Sequence, residues 1–403
     1  MSLESMNWRS LVAAPHRMFF TTGLAYLVMA SVWWLGILVA RAWFDAALEP
    51  VIPGVFAHGA MMLFLVFTPF MFGFLVTVFP RWQQAPELPN ILCLFAFALM
   101  VLALPVFLTG LYLSKTVLIA GWLLYCAGYL LVFGGLFGSW LVTRETVSHS
   151  IGTLAGLFTG LAGALLFAWM LVDSNFAFWP YVRSMGLWGF LLTVFFAVSH
   201  RMVPFFTFCV IKNQPVWRPD WMLHGFVALA IARAALELHP AYRWVPVAGM
   251  AVIALVFSLR WRPREAHGNP LLSVLHISMA WLVVALFLQL SQDLGLALFD
   301  TTWLGRAPLH AMAFGFFGSM LVAMATRVTM GHSGRPLEMD KTGWRIFMLV
   351  QLAAVARVSA ELLPLAGTWL TLFAAMLWFL AFAAWASKYG RTFFQPRADG
   401  RPG

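Results

Sequence analysis

The sequence has few charged residues and very few cysteines. Asp, Glu, Lys and Arg make up 10% of its 403 residues, whereas about a quarter of the residues in a soluble domain are charged. This scarcity excludes an ordinary water-soluble globule. The three cysteines, Cys93, Cys126 and Cys209, lie within apolar runs and form no CxxC pair, which excludes a disulfide framework. We expect all three to be buried.

Common signatures of nucleotide and covalent chemistry are also missing. The chain has no Walker loop, GxGxxG fingerprint, CxxCH haem-attachment motif or Ser–His–Asp signature. These absences argue against an ATP-driven pump and against c-type haem. The net charge is +10, but the basic residues lie in short clusters between apolar blocks, which argues against nucleic-acid binding.

The residues that are abundant are apolar: 62% are hydrophobic, with 38 Phe and 20 Trp. A bilayer core about 30 Å thick needs roughly 20 apolar residues per helix, and blocks of that size fill the chain. The first block is too long for a cleavable signal peptide. The sequence predicts an all-α membrane protein of twelve transmembrane helices, at 18–43, 55–79, 90–110, 117–142, 150–172, 182–203, 220–238, 244–261, 270–292, 304–328, 343–363 and 365–387.

The connecting loops are short, so we expect a single polytopic membrane domain over residues 1–403. It consists of an N-terminal flank (1–17), a helical bundle (18–387) and a basic C-terminal tail (388–403). Of the lysines and arginines, 17 fall on one side of this map, five on the other and three inside helices. Because cytoplasmic loops carry the excess of basic residues, both termini are predicted to be cytoplasmic.

Two of the predicted helices share a motif. The seventh reads AIARAALELHP around Arg233 and Glu237, and the eleventh reads AVARVSAELLP around Arg357 and Glu361. Arg and Glu four residues apart lie on one helix face and can neutralise each other in a low dielectric. A structural ion pair and a role in proton or electron transfer are both open for these residues.

Histidines recur at the same four-helix spacing: His58, His200 and His310 lie in helices 2, 6 and 10. Together with the shared motif, this spacing favours three four-helix repeats. Ionisable residues in a membrane usually face the bundle interior, and imidazole is a common haem and copper ligand. The histidines are therefore candidate metal ligands, with a hydrogen-bonded structural role as the alternative at each position.

Depth in the membrane sorts these histidines into two levels. His58 and His310 lie close to the non-cytoplasmic ends of their helices, at a depth of roughly 6–9 Å. His200 and His276 lie near the cytoplasmic ends of helices 6 and 9. Two more, in cytoplasmic flanks near this second level, are His16 and His332. Three at loop edges are predicted to be solvated: His149, His239 and His267.

Segments carrying these histidines resemble a known family. They are APHRMFF (14–20), AHGAMMLF (57–64) leading to GFLVTVFPRW (73–82), VFFAVSHRMVPFF (194–206), VLHISMAW (274–281) and LHAMAFGFFGSMLVAMATRVTMGHSGRPL (309–337). In these segments the chain resembles the NnrS family of bacterial membrane proteins, which is linked to nitric oxide metabolism.

The resemblance implies a twelve-helix protein of the bacterial inner membrane that contains haem and copper and acts in denitrification and protection from nitric oxide. It directs functional interest to six residues: His16, His58, His200, His276, His310 and His332. The chain departs from the family at the start of helix 2, where the family often has HAHE and this chain has FAHG at 56–59. A ligand or a proton-transferring carboxylate is missing there or is supplied elsewhere.

The order of the histidine-bearing helices is also similar, at the level of fold, to subunit I of the haem–copper oxidases. Helix 10 has one histidine where those oxidases have two. Pro204 stands where they have the tyrosine of a His–x–x–x–Tyr element. Any kinship therefore implies a rebuilt active centre.

The resulting hypothesis is an oxidoreductase of the nitric oxide reductase type that consumes or detoxifies nitric oxide in the lipid bilayer. It would take electrons from quinol and hold two haem b groups and copper. The alternative is a transporter of a metal, haem or a small anion, whose histidines line the path.

The hypothesis gives each candidate residue a role. Two imidazoles at equal depth predict a bis-histidine, low-spin haem at His58 and His310. The reactive centre is predicted at His200 and His276, with Arg201 as a propionate partner or a stabiliser of negative charge. The remaining candidates, as copper ligands or residues that support such ligands, are His16 and His332.

Overall fold

The computed structural model describes residues 7–44, 50–143, 147–211 and 216–400. These residues are predominantly helical and contain no strand. Arg144, Lys212 and Arg401, which contribute to the predicted basic asymmetry, lie outside the described residues.

Twelve helices of at least 19 residues run through the described part of the chain. They are α1 (Pro15–Trp43), α2 (Gly54–Trp82), α3 (Asn90–Leu113), α4 (Lys115–Thr143), α5 (Ser148–Asp173), α6 (Phe176–Val210), α7 (Asp220–Leu238), α8 (Pro240–Arg260), α9 (Pro270–Phe299), α10 (Ala307–His332), α11 (Lys341–Leu362) and α12 (Pro364–Phe394).

Within the described ranges, eleven of these helices are long and apolar enough to cross a membrane. The chain is thus an all-helical, multi-pass membrane protein, as predicted. The count of twelve spans is not confirmed, because α11 is 22 residues long but is not among the eleven. Four charged side chains lower its apolarity: Lys341, Arg345, Arg357 and Glu361.

Helix α6 is longer than predicted at both ends. Pro204, the residue after the predicted span 182–203, lies inside the helix, which continues to Val210. Membrane helices tolerate an internal proline because neighbouring groups satisfy the freed carbonyl. His200 therefore lies ten residues before the helix end (210 − 200), deeper than predicted. Cys209 near this end is exposed, so the prediction of three buried cysteines is wrong for this residue.

The chain divides into two compact units, and a single folding domain stays a prediction. Unit 1 comprises Met1–Val194, His332–Arg335 and Ala386–Gly403. Unit 2 comprises Phe195–Gly331 and Pro336–Trp385.

Helices pack at close range inside each unit. In unit 1, α3 runs against α4, and a Cβ added at Gly121 would lie 2.4 Å from the backbone nitrogen of Phe107. Only glycine permits this approach, as is common between membrane helices. In unit 2, α9 packs against α8 and α10.

Three π-helical segments interrupt α2, α6 and α10, the helices predicted to bear the repeated histidines. They are Met61–Val66, Met185–Leu192 and Ala311–Gly318. The last residues of successive segments are 126 positions apart in both intervals (192 − 66 and 318 − 192). The same spacing relates His58, Ser184 and His310. π-Helical turns are rare and are frequent at functional sites.

A fully buried hydroxyl follows each π-helical segment, on Thr68, Thr193 and Ser319. Thr193 Oγ1 donates to the carbonyl of Trp188 at 3.0 Å, and Thr68 Oγ1 donates to that of Phe64. The hydroxyls of Thr68 and Thr193 thus satisfy π-segment carbonyls displaced from the regular helical ladder. The regular placement is compatible with the predicted three repeats.

Candidate metal-binding histidines

Unit 1 brings His16 and His332 together. His16 is the second residue of α1 and His332 is the last residue of α10, and their ring centroids are 4.5 Å apart with planes at 46°. His16 is only 5% exposed, and the ring of Phe20 flanks it edge-on. Two imidazoles this close can bind one metal ion between them.

Arg17 and Arg397 lie near both imidazoles, and Arg335 lies near Arg17. We call Arg17, Arg335 and Arg397 the arginine cluster. Arg17 is 3% exposed and donates through Nη1 to the carbonyls of Ser10 at 3.0 Å and Gln395 at 2.8 Å. Arg335 Nη2 donates to Gln395 Oε1 at 2.8 Å. Arg397 Nη1 donates to the carbonyl of His332 at 3.2 Å. The cluster gives the imidazole pair a strongly positive surrounding.

The C-terminal segment 394–399 builds this environment by folding back onto unit 1. The carbonyl of Phe394 accepts from the backbone nitrogen of Asn7, and Ala398 donates to the carbonyl of Ser333, each at 2.9 Å. Asp399 accepts two hydrogen bonds from Arg397, which raises the pKa of that guanidinium above its ordinary value. From the sequence this segment is predicted only as a basic tail, because a polar stretch without periodicity does not reveal its packing.

His58 lies against an aromatic face in unit 1. Its ring stacks on Trp34 at 4.0 Å with planes 14° apart, and the guanidinium of Arg41 lies 5.6 Å from the same tryptophan ring. A Cβ at the neighbouring Gly59 would lie 2.5 Å from Trp179. The glutamate of the family pattern therefore does not fit at Gly59 without movement of Trp179.

His310, in unit 2, has one ring nitrogen fixed by the backbone. Its Nδ1 lies 2.9 Å from the carbonyl of Arg306, and a carbonyl only accepts, so Nδ1 carries the proton in this contact. The backbone nitrogen of Arg306 donates in turn to Glu361 Oε2 at 3.2 Å. Neutral His310 then carries its lone pair on Nε2, the tautomer and support typical of a metal-bound histidine.

His200 lies in an aromatic pocket of unit 2. Phe257 is 4.9 Å away edge-on, and Phe196 and Trp261 lie within 6.4 Å, measured between ring centroids. The backbone of Pro219 also lies near the imidazole.

His276 is hydrogen-bonded differently. Thr207 Oγ1 donates to the carbonyl of Val203 at 2.8 Å, so the same oxygen accepts from His276 Nε2 at 3.1 Å. In this arrangement only Nδ1 of His276 offers a lone pair to a metal. Thr207 follows His200 by seven residues, which is about 10 Å along the helix. His276 is therefore level with Thr207 and not with His200. Arg201 lies near Arg218 and Asp220.

One histidine outside these sets differs from prediction. His149 is 3% exposed, although a solvated position at a loop edge is predicted. Helix α5 begins at Ser148, two residues earlier than predicted, and this places His149 in its first turn beside Trp82 at 6.3 Å between ring centroids. A prediction that started the helix at Ser148 would have placed His149 inside it.

The two Arg–Glu motifs form ion pairs, as their spacing predicts. Arg233 lies 3.2 Å from Glu237 and 3.4 Å from Asp293, and all three are at least 95% buried. Arg357 lies 2.7 Å from Glu361, whose side chain is 23% exposed. The second pair is connected to a candidate ligand, because Glu361 holds the backbone of Arg306 beside His310.

The donor sets fit the implied groups in part. His310 has the backbone-anchored tautomer suited to haem iron, and the His16–His332 pair suits copper. Residues 7–44, 50–143, 147–211 and 216–400 contain no group of three His, Cys, Asp or Glu side chains that could hold a metal ion. His58 belongs to unit 1 and His310 to unit 2, and their joint haem site stays a prediction.

Comparison with known proteins agrees with the resemblance. A family model described as NnrS protein matches residues 10–397, nearly the whole chain. The family comprises membrane proteins linked to the nitric oxide response, and its members generally bind haem and copper. No curated protein matches the chain.

Proposed function

The chain belongs to the NnrS family, and from this premise we propose that it is a haem–copper protein that consumes nitric oxide, with quinol as electron source. The observation that carries the proposal is the anchoring of His310 through Nδ1 to the carbonyl of Arg306. This contact orients the lone pair on Nε2 for iron and fixes the ring before a metal binds.

The cofactors in this proposal are two haem b groups and copper. His58 and His310 would hold a low-spin haem that receives electrons, because two imidazole ligands leave no position for substrate. His200 and His276 would form the reactive centre, and His16 and His332 would bind or support copper. These groups would supply a metal that binds nitric oxide and a second metal that orients its partner molecule.

The reaction combines two nitric oxide molecules with two electrons and two protons, giving one nitrous oxide and one water. Phe196, Phe257 and Trp261 exclude water around His200. Arg201 supplies positive charge beside His200, which stabilises negative charge that develops on nitrogen-bound oxygen. Thr207 holds the ring of His276 through its Nε2 proton.

The proposal includes the inner membrane as location, cytoplasmic termini and three four-helix repeats. The spacing of 126 residues between the π-helical segments supports the repeats. Reporter fusions after residues 146 and 212 should report the cytoplasm, and a fusion after residue 240 should report the opposite face. A reversed pattern would refute the orientation.

Spectroscopy of purified protein separates this proposal from transport. Under haem-replete expression we expect non-covalent haem b with a low-spin component, and carbon monoxide binding to part of the reduced haem. Nitric oxide consumption with a quinol analogue should depend on His200. Protein that carries no haem contradicts the enzyme and favours a transporter.

A further inference from the structure

We propose that the arginine cluster of Arg17, Arg335 and Arg397 binds a phosphate group, from free phosphate or from a lipid headgroup. The site lies wholly within unit 1. It needs neither haem nor copper, so it goes beyond the proposed function and can be tested apart from it.

Two of the guanidiniums bracket one residue of the C-terminal segment. Arg17 Nη1 lies 2.8 Å from the Gln395 carbonyl, and Arg335 Nη2 lies 2.8 Å from Gln395 Oε1. Arg397 follows two residues later and contacts the carbonyl of His332. The contacts of Arg17 and Arg335 are thus with neutral oxygens, which solvate a cation without neutralising it.

The charges of the cluster do not balance. Asp399 is the carboxylate bonded to Arg397, so three positive charges and one negative leave +2 on these four side chains. Arg17 is 3% exposed, and a buried charge is costly unless it is paired. In the described residues, Nη1 of Arg335 is a buried donor without a hydrogen-bond partner. A bound anion would accept from this nitrogen and offset the charge.

The position and donor type favour phosphate. Arg17 is the third residue of α1 and Arg335 follows the end of α10 by three residues, so both lie at the ends of membrane-spanning helices. Lipid headgroups lie at this level of a bilayer. The planar fork of arginine matches two phosphate oxygens at once, and a phosphate group would offset at least one of the positive charges of the cluster.

The test uses the full-length, metal-free protein in nanodiscs of neutral phosphatidylcholine and phosphate-free buffer. Thermal unfolding is followed while inorganic phosphate is titrated at constant ionic strength. The variants are Arg335→Gln and Arg397→Gln. The matched control is Arg391→Gln, which removes the same charge from an exposed position in the last turn of α12. A second arm replaces part of the lipid with anionic phosphatidylglycerol.

We expect a saturable rise of the unfolding temperature in the wild type and in Arg391→Gln. The apparent phosphate affinity should fall about tenfold or more in the two cluster variants, since each loses a charge-assisted bond. If the lipid headgroup is the source, phosphatidylglycerol raises the unfolding temperature and removes the response to free phosphate, and Arg335→Gln loses both effects. No saturable response in either arm, or equal responses in all three variants, overturns the proposal.

Discussion

Glu361 is expected to position His310, the proposed haem ligand, through the backbone of Arg306. Its Oε2 accepts from the backbone nitrogen of Arg306 at 3.2 Å, and the carbonyl of Arg306 accepts from His310 at 2.9 Å. Gln292 holds the preceding residues: it accepts from the backbone nitrogen of Leu304 and donates to the carbonyl of Gly305. Glu361→Ala removes one of the two side chains that hold this backbone and should loosen the segment that orients the imidazole.

The chain contains a matched control for this substitution. Glu237 occupies the same position of the repeated motif and pairs with Arg233 and Arg243. Its side chain is 2% exposed, against 23% for Glu361. Breaking a buried ion pair costs about 3–5 kcal/mol. Because Glu361 is more exposed, we expect Glu361→Ala to lower the free energy of unfolding by only about 1–3 kcal/mol, through the loss of its charged hydrogen bonds.

The assay compares unfolding temperature with low-spin haem per polypeptide in the two purified variants. Glu237→Ala should unfold at the lower temperature and still keep its low-spin haem. Glu361→Ala should lose haem or shift its low-spin absorption despite the smaller loss of stability. If both variants lose low-spin haem only in proportion to their fall in unfolding temperature, the role of Glu361 in positioning His310 is refuted.

Three further predictions concern the histidines. Replacing His58 or His310 with Ala should remove the low-spin absorption while the protein stays in the membrane, and a full low-spin spectrum in both variants would disprove that haem site. Replacing His200 or His276 with Ala should abolish nitric oxide consumption and carbon monoxide binding to reduced haem but spare the low-spin spectrum; unchanged turnover would move the reactive centre elsewhere. Deleting residues 395–403 should uncover the His16–His332 pair and speed its modification by diethyl pyrocarbonate, as measured by mass spectrometry. Exposed His267 serves as the internal reference. If the deletion leaves the ratio of the modification rate of the pair to that of His267 unchanged, the segment does not shield the pair.

Apolar block length predicted most of the fold. Long apolar runs give helices in any arrangement, so most helix positions follow from the bilayer constraint. The end of α6 did not follow, because the helix continues past Pro204. The count of twelve spans is not confirmed, because the charged side chains of α11 count against its apolarity.

Contacts between distant segments were the part of the site that sequence did not reveal. For His16 and His332, the sequence predicted only that they lie near the same level of the membrane, and not that their rings meet. The arginine cluster was not predicted, because it depends on residues 395–399 folding back onto α1 and the end of α10. The partner of His276 also required the structure, because Thr207 is one of many hydroxyls in apolar helices. Spacing did predict the Arg–Glu pairs, since four residues along a helix fix their geometry.

Haem and metal content per polypeptide tests the central claim most directly. The full-length protein is expressed with added haem and copper and purified. Haem b is measured as the pyridine haemochrome, and copper by mass spectrometry. The account predicts two haem b groups and at least one copper ion per chain. Protein that is folded and inserted but contains neither haem nor copper in stoichiometric amount contradicts it.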